Sequence, residues 1–256
     1  MNSERSLPID IIGSLGVVRD DYDERDYIKR IPNNFQPTSI DLTKGLDVRI
    51  KDQDRTSACT GFSSAYLMSI LYAKLIGEWV DFDPWFIYYN ARNFVNAADQ
   101  NVGVNYRIVL KCLGQYGCLT SDSTDLFGYT MKPSDDDFNN ASSLKLRSFF
   151  RIPNDNMVNG MLYTLVKEKL PVIVCMDVFD RSYPRAGSNG ILKNVEGDEL
   201  YNAHAVCVYG YDADKDMFLA LNSHGRDWGI NGRFKITRDY LERNAFDIWT
   251  VGYNYF

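Results

Sequence analysis

The chain has 256 residues, 45% of them hydrophobic and 24% charged, with a formal net charge of −6. Such a chain is long enough for one large globular domain or two packed lobes. The acidic balance excludes a nucleic-acid surface built on clustered Lys and Arg, and no run approaches the roughly 18 uncharged apolar residues of a membrane span.

Residues 1–37 are polar and charged, with Arg19-Asp20-Asp21-Tyr22-Asp23-Glu24-Arg25-Asp26-Tyr27 at their centre and no helical or strand period. Pro32-Asn33-Asn34 and Pro37 mark loop. This stretch reads as a surface arm, the alternative being a short pro-segment laid over a cleft. Its beginning makes a poor signal peptide, because Asp10 and glycines interrupt a short apolar core. Residues 59–77 are small and apolar on nearly every side, which predicts a buried helix ending near Gly77. Pro84 fits the first turn of a second helix over 85–92. Residues 103–116 predict a third helix stopped by Gly117, and 156–170 a fourth stopped by Pro171. Asp135-Asp136-Asp137 reads as a helix start or solvated loop, with Ca²⁺ binding the weaker alternative.

After Pro171 the texture changes. Residues 172–178 are a β-branched run, and 204–211, 217–221, 233–236 and 246–253 read as further strands. Residues 180–202 between them read as one long polar loop, of the kind that is functional or mobile. A helical first half and a β-rich second half predict an α+β fold, with lobes of about 50–150 and about 151–256.

Five cysteines stand at Cys59, Cys112, Cys118, Cys175 and Cys207, too few and too odd in number for a disulfide framework. Cys112 and Cys118 are close enough for a small bridged loop but read as free core thiols. Together with the poor signal peptide, this favours an intracellular or cytoplasmic protein. No cysteines and histidines fall at metal-ligand spacing.

The candidate chemistry starts from scarcity, since the chain has only two histidines. Cys59 opens the buried helix, where the helix dipole and free N–H groups favour a thiolate. His204 lies on a predicted strand and can hold the thiol proton as imidazolium. Asn222 can fix the imidazole by accepting its other N–H. Gln53, ahead of Cys59, can join the Cys59 N–H as an oxyanion donor.

These blocks resemble the papain-like cysteine peptidase family. The resemblance is carried by Gln53 and Cys59, by Asn202-Ala203-His204-Ala205-Val206, and by Asn222-Ser223-His224-Gly225-Arg226-Asp227-Trp228-Gly229-Ile230-Asn231-Gly232. The last block matches the family pattern except at His224, where the family has tryptophan. Ser39-Ile40-Asp41-Leu42 resembles the mature start, and Phe86-Ile87-Tyr88-Tyr89-Asn90 resembles the short-prosegment bacterial-type branch.

The resemblance covers about 38–256. It implies a two-lobe fold with the cleft between the lobes, and a peptidase acting on polypeptides through an acyl-enzyme, without metal or cofactor. It implies Cys59 as nucleophile, His204 as base then acid, Asn222 as orienting residue, Gln53 as oxyanion donor, and Cys175 and Ala205 as specificity-pocket residues. Trp228 and Gly232 read as packing and turn residues. His224 is expected to modulate the site. Losing the tryptophan should admit water to the Asn–His bond, and a charged His224 should lower the pKa of His204 and steepen the acid limb. The alternatives are a silent family member that binds peptides or a partner protein, and, more weakly, a cysteine amidase or acyltransferase.

Overall fold

The computed structural model describes residues 16–32, 36–123 and 128–252. Residues 1–15, Asn33 and Asn34 of the arm, and Tyr253 of the predicted last strand, lie outside the described residues.

The arm is not free of regular structure. Val17–Val18 forms strand β1, and Ile40–Asp41 forms β2 at the edge of the main sheet. Helix α1 spans Cys59–Ile76 and is buried nearly throughout, as its small apolar residues require. Gly77 ends it in the left-handed region at φ 83°, which costs glycine nothing. Helix α2 spans Pro84–Phe94, with the Asp83 carboxylate accepting the Phe86 N–H as its cap.

The third helix begins later than its pattern predicts. Val104–Asn105 is strand β3, pairing in parallel with β1, so helix α3 covers only Tyr106–Tyr116. The acidic triplet is a helix start: α4 spans Asp135–Ala141 with a Ser134/Asp137 capping box. Strand β4 is Phe149–Arg151. The predicted fourth helix is regular only over Met157–Tyr163, α5; Thr164–Glu168 widens into a π turn that Lys169 closes before Pro171.

Strand β5 is Val172–Phe179. The predicted loop after it is a correction, because it contains helix α6 (Ser182–Asn189) and strand β6 (Ile191–Leu192). Strand β7 is Leu200–Asp212, β8 Met217–Leu221 and β9 Arg233–Thr237. Helix α7 (Arg238–Asn244) and strand β10 (Ala245–Val251) complete the described chain.

The main sheet runs β4-β10-β5-β7-β8-β9-β6, antiparallel except where β6 joins β9, with β2 on β7. Side chains alternate across it. Ile173 and Cys175 face a core shared with Tyr66, Leu67 and Ile70 of α1 and Val109 and Leu110 of α3. Val172, Val174 and Met176 face a second core with Phe218, Phe234, Ile236 and Leu241. β5 is apolar over most of its length because both its faces are covered. Each fully buried aliphatic side chain there contributes roughly 1.5–3 kcal/mol. The result is an α+β, two-lobe fold, with α1 set against the face of β5 and β7.

Candidate active site

Cys59 is the first residue of α1 and is wholly buried. Ala58, before it, offers no side-chain cap, so the first backbone N–H groups are left to other acceptors. The N–H groups of Cys59 and Thr60 favour an anionic sulfur, as do those of Ala205 from β7 and Gly16 from the arm. Burial is larger and wins, pushing the thiol up to about 11. Helix position thus favours the anion expected from the sequence, and burial opposes it.

His204 and Ala205 lie on β7 opposite Met176 and Cys175 of β5. His204 Nε2 lies 2.8 Å from Asn222 Oδ1. Its Nδ1 is buried and has no hydrogen-bond partner. Burial pulls the imidazole down to about 4, against a smaller opposite effect of the Asn222 bond. Near neutral pH the covered site therefore holds a neutral thiol and a neutral imidazole.

Asn222 follows the end of β8, its N–H bonded to the Gly232 carbonyl at 3.0 Å. Gln53 is held on the neighbouring residue: its N–H reaches the Ser223 carbonyl at 2.8 Å, and its Oε1 accepts from Ser223 Oγ at 2.6 Å. Its amide nitrogen donates to the Thr56 carbonyl at 2.6 Å, which uses one of its two hydrogens. Cys175 and Ala205 pair across the strands, both buried in the core that contains Cys59. The candidate residues Gln53, Cys59, Cys175, His204, Ala205 and Asn222 are thus gathered at one place.

His224 is there too, its ring stacked on that of His204 at 5.2 Å between centroids and 12° between planes. The expected entry of water is not what the structure holds, since Asn222 is 1% exposed and His204 0%. Burial, and secondarily the neighbouring His204, hold the His224 imidazole well below its ordinary range. Both causes disfavour the charged form from which a like charge beside His204 would arise. Trp228 packs edge-on to His224 at 5.9 Å and against Phe234 at 5.0 Å, a packing role. Gly232, at φ 75°, donates its N–H to the Trp228 carbonyl in the turn.

Tyr183 of α6 was not legible as a site residue. Its hydroxyl contacts both Asn222 and His224, and its ring lies 5.6 Å from that of His204. Nothing local marked it; only helical spacing in Ser182-Tyr183-Pro184-Arg185-Ala186, with Tyr183 and Ala186 both buried, could have drawn it out of the presumed loop.

The arm runs past the site, the Gly16 N–H facing the Cys59 sulfur. Val17 and Val18 lie against Val104 and Asn105, and a Cβ on Gly103 would stand 2.5 Å from the Gly16 carbonyl. Only glycine at 103 permits that approach. Farther along, Arg19 pairs with Asp177 at 2.5 Å, Arg107 with Asp26 at 2.7 Å, and Lys29 with Glu168 at 2.6 Å. Tyr27 and Lys29 bond the backbone of Arg151 on β4. Asp20 is buried beside Arg107, Asp247 and the Trp249 indole N–H. Burial first and Asp247 second raise its carboxyl to about 6, with Arg107 and Arg151 opposing.

Among the described residues no group of His, Cys, Asp and Glu could hold a metal, and no helix is long and apolar enough to cross a membrane.

Known proteins place this geometry. The model of the papain family cysteine proteases matches residues 90–249, which includes His204 and Asn222 and leaves Gln53 and Cys59 outside. An uncharacterized peptidase C1-like protein of Acanthamoeba polyphaga mimivirus is 26% identical over 78% of this chain and 68% of its own. Mouse cathepsin K is 27% identical over 79% of this chain, which spans only 60% of the cathepsin. In fold, xylellain, a cysteine protease from Xylella fastidiosa, superposes with a TM-score of 0.81 over 93% of this chain and 96% of its own, at 22% identity. The Tenebrio molitor procathepsin L 3 structure superposes at 0.72 over 95% and 78%, at 16% identity. By sequence model and by fold, the chain belongs to the papain family of cysteine proteases, a family of hydrolases.

Proposed function

We propose that the chain is a cysteine peptidase that hydrolyses polypeptides through a Cys59–His204 pair and is restrained by its own N-terminal arm. One observation carries the reading: His204 donates Nε2–H to Asn222 and keeps Nδ1 unpartnered in the buried site where the N–H of its neighbour Ala205 favours a charged Cys59 sulfur. That leaves a base with one nitrogen fixed and the other free to take a proton.

The chemistry follows. When the arm leaves, water and substrate relieve the burial that holds the thiol at about 11 and the imidazole at about 4. The thiol proton passes to Nδ1, and the sulfur attacks the substrate carbonyl. The Cys59 N–H and the second hydrogen of the Gln53 amide, the first being given to Thr56, would receive the oxyanion. His204 returns the proton to the leaving amine, and a water, deprotonated by the same imidazole, releases the acyl group. Cys175 and Ala205 would floor the pocket for a substrate side chain.

The unit read as the peptidase domain is residues 38–256, with 1–37 as the arm. A second reading has its own support. A buried neutral thiol and imidazole are also what a silent, peptide-binding cleft would contain. Stoichiometric labelling of Cys59 by a peptidyl epoxide, lost in His204→Ala, favours the peptidase. Absence of labelling at neutral pH, with the arm displaced, favours the silent cleft.

A further inference from the structure

We propose that Tyr183, with His224 behind it, is a positioning residue that holds the Nδ2 end of the Asn222 amide and thereby steadies His204; the proposal rests on the peptidase reading above. The argument is a count of donors and acceptors. Asn222 Oδ1 accepts from His204 Nε2 at 2.8 Å and from the Ser223 N–H at 3.0 Å. Its Nδ2 therefore donates, and it reaches Tyr183 Oη at 3.1 Å. A hydroxyl has one hydrogen. Asn222 Nδ2 offers it no acceptor, and among the described contacts of the hydroxyl the acceptor for that hydrogen is His224 Nε2, 2.9 Å away. His224 Nε2 must then carry a lone pair, so His224 is neutral in this arrangement.

The chain of bonds has a direction, and the direction matters at its far end. Read back from His224, every donor is fixed: Tyr183 O–H, Asn222 N–H, His204 Nε2–H. A neutral His204 with its hydrogen on Nε2 has its lone pair on Nδ1, the nitrogen without a partner. Protonating His224 would make its Nε2 a donor and take away the acceptor of the hydroxyl hydrogen. The Ser223 N–H would still hold Asn222 Oδ1 toward His204, but the far end of the amide would be less firmly held and the imidazole less well fixed. Burial keeps His224 from charging.

The titratable groups that face this chain are Cys59 from α1, Tyr183 from α6, His204 from β7, Tyr240 from α7 and Asp52, whose backbone pairs with His224. Asp52 is itself raised by burial. The family's tryptophan would cover Asn222 with an apolar ring. Here a tyrosine from the presumed loop and an imidazole cover it, and they add a hydrogen bond that a tryptophan at this position does not supply.

The test uses the full chain with its arm displaced by Gly103→Ala, which serves as the parent. Tyr183→Phe keeps the ring and removes the hydroxyl. It should lower the rate of Cys59 labelling and kcat by about fivefold to tenfold, the loss expected for one buried hydrogen bond, with KM unchanged. It should also move the acid limb of the labelling profile to higher pH, because a less well fixed imidazole stabilises the thiolate less. His224→Phe should match it, and the double variant should lose no more than either single one, since His224 acts through Tyr183. His224→Gln, whose carbonyl oxygen can accept the hydroxyl, should stay within about twofold of the parent. That pair of His224 variants decides the matter even where Tyr183→Phe fails to fold. An unchanged limb in Tyr183→Phe, or additive losses in the double variant, would overturn the proposal while leaving the peptidase standing. With the arm displaced, labelling that does not depend on His204 would remove the peptidase reading and this proposal with it.

Discussion

The two walls of the cleft are built differently. The helical wall is local: Cys59 stands at the start of one uninterrupted buried helix, and its place follows from residues 59–76 alone. The sheet wall is assembled from distance, with His204 on β7, Asn222 past β8, Gln53 from before α1 and Tyr183 from α6. The helical wall brings a nucleophile and little to hold it. The sheet wall brings the hydrogen bonds that decide where protons sit. Reactivity should accordingly be more sensitive to small polar changes on the sheet wall than to apolar changes on the helix, and the arm should control both by excluding water.

Asn222→Ala should give the largest effect among substitutions that spare Cys59 and His204. It leaves the buried His204 Nε2–H unsatisfied, at a cost of about 1–3 kcal/mol, so labelling of Cys59 should fall about tenfold to a hundredfold. A loss below twofold would erase the difference between the walls. Gly103→Ala acts through the arm. The added methyl meets a backbone carbonyl that cannot swing aside, so the arm should lift and iodoacetamide should reach Cys59 about tenfold faster at pH 7. Equal rates would mean that the arm does not guard the sulfur.

Asp20 gives a smaller, pH-dependent effect. Its carboxyl is raised to about 6 when docked, against an ordinary value of 3.8. Docking therefore favours the protonated form. The contribution of Asp20 to holding the arm is fully present below 3.8 and is lost as pH rises through about 6. Amide exchange of Val17 and Val18, corrected for intrinsic rates, should show a severalfold loss of protection between pH 4 and 7. Asp20→Asn should flatten it.

Much of the architecture was legible. The α1 and α2 boundaries, the β5 run and the chain order of Cys59, His204 and Asn222 all follow from pattern and punctuation. What escaped did so for physical reasons. Val17-Val18 and Val104-Asn105 are too short to show a period, and each is a strand only because the other is there. Residues 180–202 are polar because α6 is a short surface helix, and only Tyr183, Ser182 and Ala186 turn inward. The helix position of Cys59 was read correctly, but the burial that opposes it was not, because it arises only when the fold brings segments far away in sequence around the sulfur, and the N–H groups of Gly16 and Ala205 among them offset that burial only in part. His224 was placed at the site, but its neutrality depends on burial and on a tyrosine that no motif announced.

The claim that matters most is that Cys59 is a nucleophile held neutral by the arm. Its direct test is the pH profile of Cys59 alkylation in the full chain, compared between parent and Gly103→Ala. A thiol raised when covered favours the covered state below its uncovered pKa, and that preference is lost as pH rises through about 11. The parent should react along a single limb climbing toward about 11. Gly103→Ala should react along a limb shifted to lower pH, with a His204-dependent plateau near neutrality. Superimposable profiles for the two chains would contradict the account.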